Sequence, residues 1–244
     1  MKDIKRYPLG RNESPPDPRD WDLQNIAAVG ITEPEVPITS RHHLFLSKSL
    51  DQGQTGHCVG FDAASFRINE PTYTPCTNQD GHNYYYMCKE FDGEPGDEGG
   101  SNLRSAAKTL QKIGAINNYA FARDFETIKW WLLNKGPLMF GTVWFTGMYK
   151  LNEMNTAYPT GIVDGGHAWL GNGIDEEYVY GQNSWGENWG NNGAFRMRIA
   201  DFINIMSMGG EALAAVEVVN VSTKKLSLLE IIINFIISLF KKGV

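Results

Sequence analysis

The chain has 244 residues, of which 42% are hydrophobic, and a formal net charge of −6. This length and apolar content fit one two-lobed domain with a sizeable core. The net negative charge argues against a nucleic-acid-binding protein, which needs a basic face. Cys58, Cys76 and Cys88 are an odd number of cysteines without framework spacing, which argues against a disulfide-stapled secreted domain.

The first 40 residues, 1–40, form an N-terminal extension rich in proline and charge. They contain no apolar stretch of the signal-peptide kind, so we expect a cytoplasmic protein or one exported by another route. The run Ser14-Pro15-Pro16-Asp17-Pro18 favours an extended backbone. We expect the extension to wrap the surface of the domain that follows, which we place at 41–221.

Cys58 is the candidate nucleophile. Two glycines before it indicate a tightly turned loop, and apolar residues at helical spacing from Val59 predict a helix that begins near Cys58. A thiol at a helix N-terminus meets unsatisfied N–H groups and the positive end of the helix dipole, and both favour the thiolate. Paired with an imidazolium, it would be an activated nucleophile. Gln52 offers an amide on the same loop that could stabilise an oxyanion beside the Cys58 N–H.

Apolar spacing predicts further helices over 82–91, 101–113 and 124–134, with Gly114 as a fitting helix stop. From Leu138 the pattern changes to that of strands. Helices followed by strands predict an α+β fold with a helical N-terminal lobe, a β-rich C-terminal lobe and a cleft between them.

A hairpin is predicted around the turn Asp175-Glu176-Glu177. Paired positions in an antiparallel hairpin have a constant sum, which a turn here sets at about 350 to 352. His167 and Asn183 should therefore be cross-strand neighbours or one step off, with their side chains on one face. An imidazole held by a neutral amide would be the basic half of a nucleophilic site.

Three motifs in order carry a family resemblance: Gln52-Gly53 with Gly56 and Cys58, then Gly165-Gly166-His167-Ala168, then Asn183-Ser184-Trp185-Gly186 with Trp189-Gly190. They resemble those of the papain-like cysteine peptidases, the peptidase C1 type, over roughly 45–221. The last motif at its distance from the histidine is strong alone, and all three in order are very strong. The short proline-broken extension is similar to the leader of bacterial and phage relatives, so a phage-associated protein is a second expectation.

The resemblance implies a role for each matching residue. Cys58 would be the nucleophile and His167 the general base and acid, with Asn183 orienting the ring, Gln52 completing the oxyanion hole and Trp185 shielding the His–Asn hydrogen bond. The substrate groove would include Gly99, Gly100, Gly166 and Trp189, the glycine pair binding extended substrate as an added strand. Neither a metal nor another cofactor is implied.

Two departures from the family pattern stand beside the nucleophile. The family's usual disulfide near the active site is absent, since its positions hold Thr55 and roughly Asp97. His57 replaces a small residue directly before Cys58, and we interpret it as a residue of the cleft wall that could crowd the entry.

The last segment, 222–244, is predicted to be a linker followed by an amphipathic helix over 226–240. Fifteen residues make a helix of about 22 Å, which is too short for a membrane span. Its broad apolar face would lie in a membrane interface, associate with a second copy or dock on an apolar partner.

The leading functional hypothesis is hydrolysis of a peptide bond through a Cys58 thioester. A catalytically idle papain-fold module that binds partners through its groove and C-terminal helix is the alternative of a different class. A Cys–His amidase of cell-wall peptides is a third, which the tryptophan shield and Gln52 disfavour.

Overall fold

The computed structural model describes residues 5–25, 38–45 and 47–218. The predicted C-terminal helix at 226–240 lies outside them. Five α-helices are described: α1 Cys58–Ile68, α2 Asn78–Asp92, α3 Leu103–Lys112, α4 Phe125–Asn134 and α5 Ile199–Met206. The described strands are β1 Arg41–His42, β2 Ile116–Ala122, β3 Leu138–Phe145, β4 Val163–Ile174, β5 Tyr178–Gln182, β6 Ala194–Arg198 and β7 Glu211–Val218.

All these strands pair antiparallel in one sheet of order β2-β7-β3-β4-β5-β6, with β1 on β4. Helices α1, α2 and α3 pack together on one side as the helical lobe, which confirms the predicted α+β arrangement in two lobes. Helix α1 is buried along its whole length except at Arg67. It reaches the sheet at β4, so the N-terminus of the helical lobe's central helix meets the strand that carries His167.

Local capping explains where the helices begin and end. Thr77 and Asp80 form a capping box at the start of α2, and the Asp124 side chain caps α4 by accepting from the Thr127 N–H. Gly93 ends α2 in the left-handed conformation, with φ of 75°. The boundary predicted for the helix at 124–134 is confirmed.

The expectation that strands begin only at Leu138 is wrong for β2, which lies between α3 and α4 in the sequence. Its polar Asn117 and Asn118 weaken the local β signal, and its place is set by pairing with the distant β7. The short helix α5, between β6 and β7, was likewise not predicted. Within the described residues, no helix has the length and apolar character needed to cross a membrane.

Candidate active site

The cysteine proposed as nucleophile is the first residue of α1, as the sequence predicts. Its side chain is fully buried. Burial raises the pKa of the Cys58 thiol to about 12, while hydrogen bonds with the backbone of Ala168, Gly10 and Val59 act to lower it. The expected thiolate is therefore wrong for this arrangement of the chain, because desolvation outweighs the helix N-terminus.

His167 lies on β4 and is fully buried. Its Nε2 is 2.8 Å from Asn183 Oδ1. That oxygen also accepts the Ser184 N–H at 2.7 Å, so the amide presents oxygen to the ring and Nε2 is the protonated nitrogen. The other ring nitrogen, Nδ1, has no hydrogen-bond partner among the described residues. Burial lowers the pKa of His167 to about 4, against the opposing effect of Asn183. The ring is thus a neutral base with one nitrogen free.

The predicted contact between His167 and Asn183 is present, and the register next to it lies within the predicted range of pair sums. Leu170 pairs with Gln182, which gives a sum of 352, and a bulge near Asn172 shifts the pairs closer to the turn. Continuing the register places Asn183 opposite Trp169. The two side chains therefore meet on a diagonal, just beyond the end of β5.

Aromatic rings enclose the histidine. The Trp185 ring stacks on His167 with a centroid distance of 4.6 Å. The Trp144 ring meets it edge-on at 4.8 Å. Trp185 is 3% exposed, and Tyr7 of the extension stacks on its other face at 4.6 Å. These rings keep water from the His–Asn hydrogen bond, which strengthens it.

Gln52 has a fixed amide orientation. Its Oε1 accepts the Ser184 hydroxyl at 2.6 Å. Its Nε2 donates to Thr55 O at 2.6 Å and to Pro8 O at 3.2 Å. The second acceptor is a peptide carbonyl of the N-terminal extension. The side chain proposed for the oxyanion hole therefore already holds a carbonyl oxygen from an extended peptide.

The extension crosses the cleft at Gly10. The N–H groups of Gly10 and Arg11 donate to Gly166 O at 3.2 and 3.0 Å, and Gly10 O accepts the Ser101 N–H at 2.9 Å. A methyl group added at Gly10 would lie 1.8 Å from Gly56 O. Only glycine fits this passage between the nucleophile loop and β4.

The glycines predicted to bind substrate are the ones that the extension contacts. Gly99 O accepts the Asn12 side-chain amide at 2.7 Å. A Cβ at Gly100 would lie 2.3 Å from Gly10 O. Arg11 pairs with Ser101 in a parallel bridge, as an added strand would. Trp189 is 4% exposed and packs against Trp185, so its contact with substrate stays a prediction.

Beyond the cleft, the extension continues onto the helical lobe. The buried Arg104 of α3 forms an ion pair with Asp20 and donates to Pro15 O. The Phe121 N–H donates to Trp21 O at 2.9 Å. Residues 7–12 therefore lie in the groove, and 14–22 lie along α3 and β2.

Comparison with solved structures finds proteins of similar fold. The chain is similar to xylellain, a cysteine protease from Xylella fastidiosa, at 20% identity and a TM-score of 0.68, covering 91% of this chain and 99% of that one. A Carica candamarcensis cysteine protease solved with E-64 matches at 14% identity and a TM-score of 0.56, over 75% of this chain and 99% of that one. The chain has a papain-like fold.

A procathepsin B from Trypanosoma congolense shares this papain-like fold at 14% identity and a TM-score of 0.55, over 71% of this chain and 73% of that one. No protein-family model matches the sequence, and no curated protein matches it significantly.

His57 is not a residue of the cleft wall, contrary to the sequence-based interpretation. It is 1% exposed, its ring stacks on Tyr85 at 3.7 Å, and its Nδ1 lies 2.8 Å from His82 Nδ1. Its Nε2 lies 2.8 Å from Asp97 Oδ1. Burial lowers the pKa of His57, with Asp97 opposing the effect. In this papain-like fold, the His57–Asp97 contact joins the two loops near which the family's usual disulfide would lie.

Sequence reasoning missed four residues that shape the site. Trp144 of β3 lies in no motif of the sequence, although its ring contacts the histidine. Tyr7, Arg11 and Glu211 were not singled out. Their contacts join the extension to distant parts of the chain, and no local pattern in the sequence marks them.

Proposed function

We propose that this protein hydrolyses peptide bonds through a Cys58 thioester. The observation that carries the proposal is that an extended peptide already lies in the groove, with its Gly10 backbone at the thiol and its Pro8 carbonyl on Gln52. The Cys58 thiol contacts the backbone of Ala168, the residue after a neutral histidine held by an amide. A groove that binds peptide backbone at such a cysteine has the parts that acyl transfer requires.

The proposed reaction has two steps. In the first, His167 Nδ1 takes the thiol proton and the sulfur attacks the substrate carbonyl, whose oxygen becomes an oxyanion held by Gln52 Nε2 and the Cys58 N–H. The imidazolium then gives its proton to the leaving amine as the C–N bond breaks, which leaves a thioester. In the second, His167 takes a proton from water and the resulting hydroxide adds to the thioester carbonyl. The C–S bond then breaks, the imidazolium returns its proton to the sulfur, and the carboxylic acid product leaves.

Asn183 is a positioning residue in this scheme. Its Oδ1 holds the proton-bearing Nε2 and so leaves Nδ1 available to the thiol. Trp185 and Trp144 fix the ring plane from two directions. Because these contacts act through the histidine, their loss should slow the reaction less than loss of Cys58 or His167.

The extension must leave the groove before a substrate can bind there. Its departure would hydrate both reacting groups, which are neutral chiefly because of burial. Less burial lowers the thiol pKa and raises the imidazole pKa, so the two values approach each other and the ion pair gains population. Displacement of the extension and activation of the nucleophile are thus the same event.

The test is labelling of the folded full chain with a peptidyl epoxide, combined with turnover of fluorogenic peptides. Label on Cys58 and turnover that Cys58→Ala abolishes are expected, while Cys76→Ala, the matched control at another buried cysteine, should keep both. Label on Cys76 or Cys88 but not on Cys58 in folded protein would refute the proposal.

The filled groove and the neutral thiol also favour the idle binding module as a second candidate. The same experiment separates the two, because an idle module binds peptide in the groove but turns over no peptide after the extension has been released. Release can be imposed with the Gly10→Ala substitution described below.

A further inference from the structure

The segment 97–102 forms the side of the groove that belongs to the helical lobe. It contains the glycine pair expected to bind substrate. Its Ser101 N–H donates to Gly10 O at 2.9 Å, and Ser101 O accepts the Asn12 N–H at 2.7 Å, so it already binds the backbone of the extension. The segment lies between α2 and α3, and none of the helices and strands described above includes it. Side chains from outside the segment must therefore set its shape.

One face of helix α2 supplies such side chains. Tyr85, Lys89 and Asp92 follow one another at spacings of four and three residues, so they share this face. The Tyr85 hydroxyl donates to Asp97 O at 3.3 Å, and a Cβ at Gly99 would lie 3.5 Å from Lys89 Nζ. Successive residues of this face of α2 thus meet successive residues of the segment.

Asp92 holds the end of the segment with three hydrogen bonds. Its Oδ2 accepts the Ser101 hydroxyl at 2.7 Å. Its Oδ1 accepts the Asn102 side-chain amide at 2.8 Å and the Ser105 hydroxyl at 2.5 Å. All three donor residues are buried. Hydrogen bonds to a carboxylate that is shielded from water are stronger than neutral ones, so the residue whose backbone meets the bound peptide is firmly fixed.

The segment has no covalent link to the rest of the helical lobe. The cysteines of the chain are free, so the family's usual disulfide near this segment has no counterpart. Hydrogen bonds from α2 therefore have to hold the segment in place. A carboxylate can accept from three donors at once, whereas an asparagine at position 92 would keep one acceptor oxygen for the same three donors.

We propose that Asp92 is a positioning residue that sets the shape of the substrate-binding segment. The inference rests on the proposed function. Asp92 acts through the backbone of Ser101, so its loss should weaken peptide binding and leave the chemical step nearly unchanged. Binding that is equal for substrate and transition state changes KM and leaves kcat as it is. The extension pairs with the same residue, so its hold on the groove should weaken as well.

The first measurement is peptide binding to the full chain. Cys58→Ala prevents turnover, and Gly10→Ala displaces the extension, since its added methyl group cannot fit beside Gly56. The probe is a fluorescein-labelled peptide with the sequence of residues 5–14, followed by fluorescence polarisation. Adding Asp92→Asn should raise its Kd at least about 10-fold, equivalent to about 1.4 kcal/mol.

The second measurement compares turnover with access to the thiol. In the Gly10→Ala chain, Asp92→Asn should raise KM for a fluorogenic peptide at least about 10-fold, while kcat changes less than about 2-fold. In the chain with its own extension, the same substitution should make alkylation of Cys58 by iodoacetamide at least about 10-fold faster, because the extension loses its place on Ser101. Weaker peptide binding together with faster alkylation is not what a general loss of stability predicts.

The matched control is Asp124→Asn. The Asp124 carboxylate also accepts from a backbone N–H and a hydroxyl, both of Thr127 and both at 2.8 Å, but it caps α4 away from the groove. Its loss should lower the thermal stability and change neither peptide binding nor alkylation. Ser101→Ala serves if Asp92→Asn does not fold, because it removes one of the three hydrogen bonds and should raise the Kd by about 5-fold.

The outcomes separate the two proposals. Unchanged peptide binding in a folded Asp92→Asn chain, a fall in kcat with KM unchanged, or alkylation no faster than before overturns the role of Asp92 and leaves the peptidase proposal standing. Absence of both turnover and Cys58 labelling in every chain overturns the peptidase proposal, and the binding measurement then decides the role of Asp92 alone.

Discussion

The passage of the extension past Gly10 makes a sharp prediction about access to the nucleophile. A methyl group in Gly10→Ala would lie 1.8 Å from Gly56 O, whereas real Cβ contacts essentially never fall below 3.0 Å. The extension must move, which breaks the hydrogen bonds from Gly10 N–H to Gly166 O and from Ser101 N–H to Gly10 O. At about 1 kcal/mol for each hydrogen bond, their loss destabilises the bound extension relative to the released one by about 2 kcal/mol.

That free energy corresponds to about a 30-fold shift from the bound to the released extension. We therefore expect alkylation of Cys58 at pH 7 to be about 30-fold faster in Gly10→Ala than in the unaltered chain. Mass spectrometry of the labelled cysteine, sampled over time, gives the rate. Arg19→Ala is the matched control, because Arg19 lies in the same extension with its side chain 85% exposed, and its recorded side-chain bonds within the described residues are to Asp17.

An unchanged alkylation rate in a folded Gly10→Ala chain would refute this reasoning. It would mean that the extension does not limit access to the thiol, despite its place in the groove. A thermal melt of each variant separates that result from simple unfolding, since release of the extension should leave a cooperative transition of the domain.

Three further predictions concern the histidine dyad and the C-terminal segment. Asn183→Ala should lower kcat/KM by about 10- to 100-fold, less than Cys58→Ala, since it only orients the ring; equal losses in the two variants would contradict this role. Burial lowers the pKa of His167 from 6.5 to about 4, so the unfolded chain takes up this proton first as pH falls. Between pH 6.5 and about pH 4, the free energy of unfolding should therefore fall by about 1.4 kcal/mol for each unit by which the pH is lowered. Urea titrations at several pH values measure this dependence, and the contribution should be missing in His167→Gln. Membrane binding is one of the roles that stay open for the segment 226–240, beside self-association and docking on a partner. If it binds a membrane interface, flotation with liposomes should be lost in a chain that ends at Ser222; equal flotation of the two would remove that role.

Local patterns were enough to predict where several residues of the candidate site lie. Cys58 begins a helix because the glycine-rich loop ends there, and Asp124 caps α4 as its side chain predicts. The predicted hairpin brings His167 and Asn183 together, and its register lies within the predicted range of pair sums. The bulge near Asn172 shifts the pairing by one residue only on the side of the turn, away from this contact.

The occupant of the groove could not be predicted in the same way. The contacts of Gly10 join residues 10, 56, 100 and 166, which share no periodicity and no motif. The predicted thiolate form of Cys58 was wrong for the same reason. Its position at a helix N-terminus can be inferred from the local sequence, whereas its burial depends on segments far away in the sequence. Position in the sequence predicts the candidate nucleophile, and long-range packing decides whether its thiol is ionised.

The extension that lies across the groove is covalently part of the chain, and this affects how a substrate competes with it. A tethered ligand competes at an effective concentration set by its linker, on the order of millimolar for a short flexible one. Dilution weakens a free inhibitor but leaves a tethered one in place, so the fraction of protein with an open groove is independent of protein concentration. The substrate concentration that displaces the segment from half of the molecules is instead set by the affinity and the effective concentration of the segment. It is therefore the same at every protein concentration.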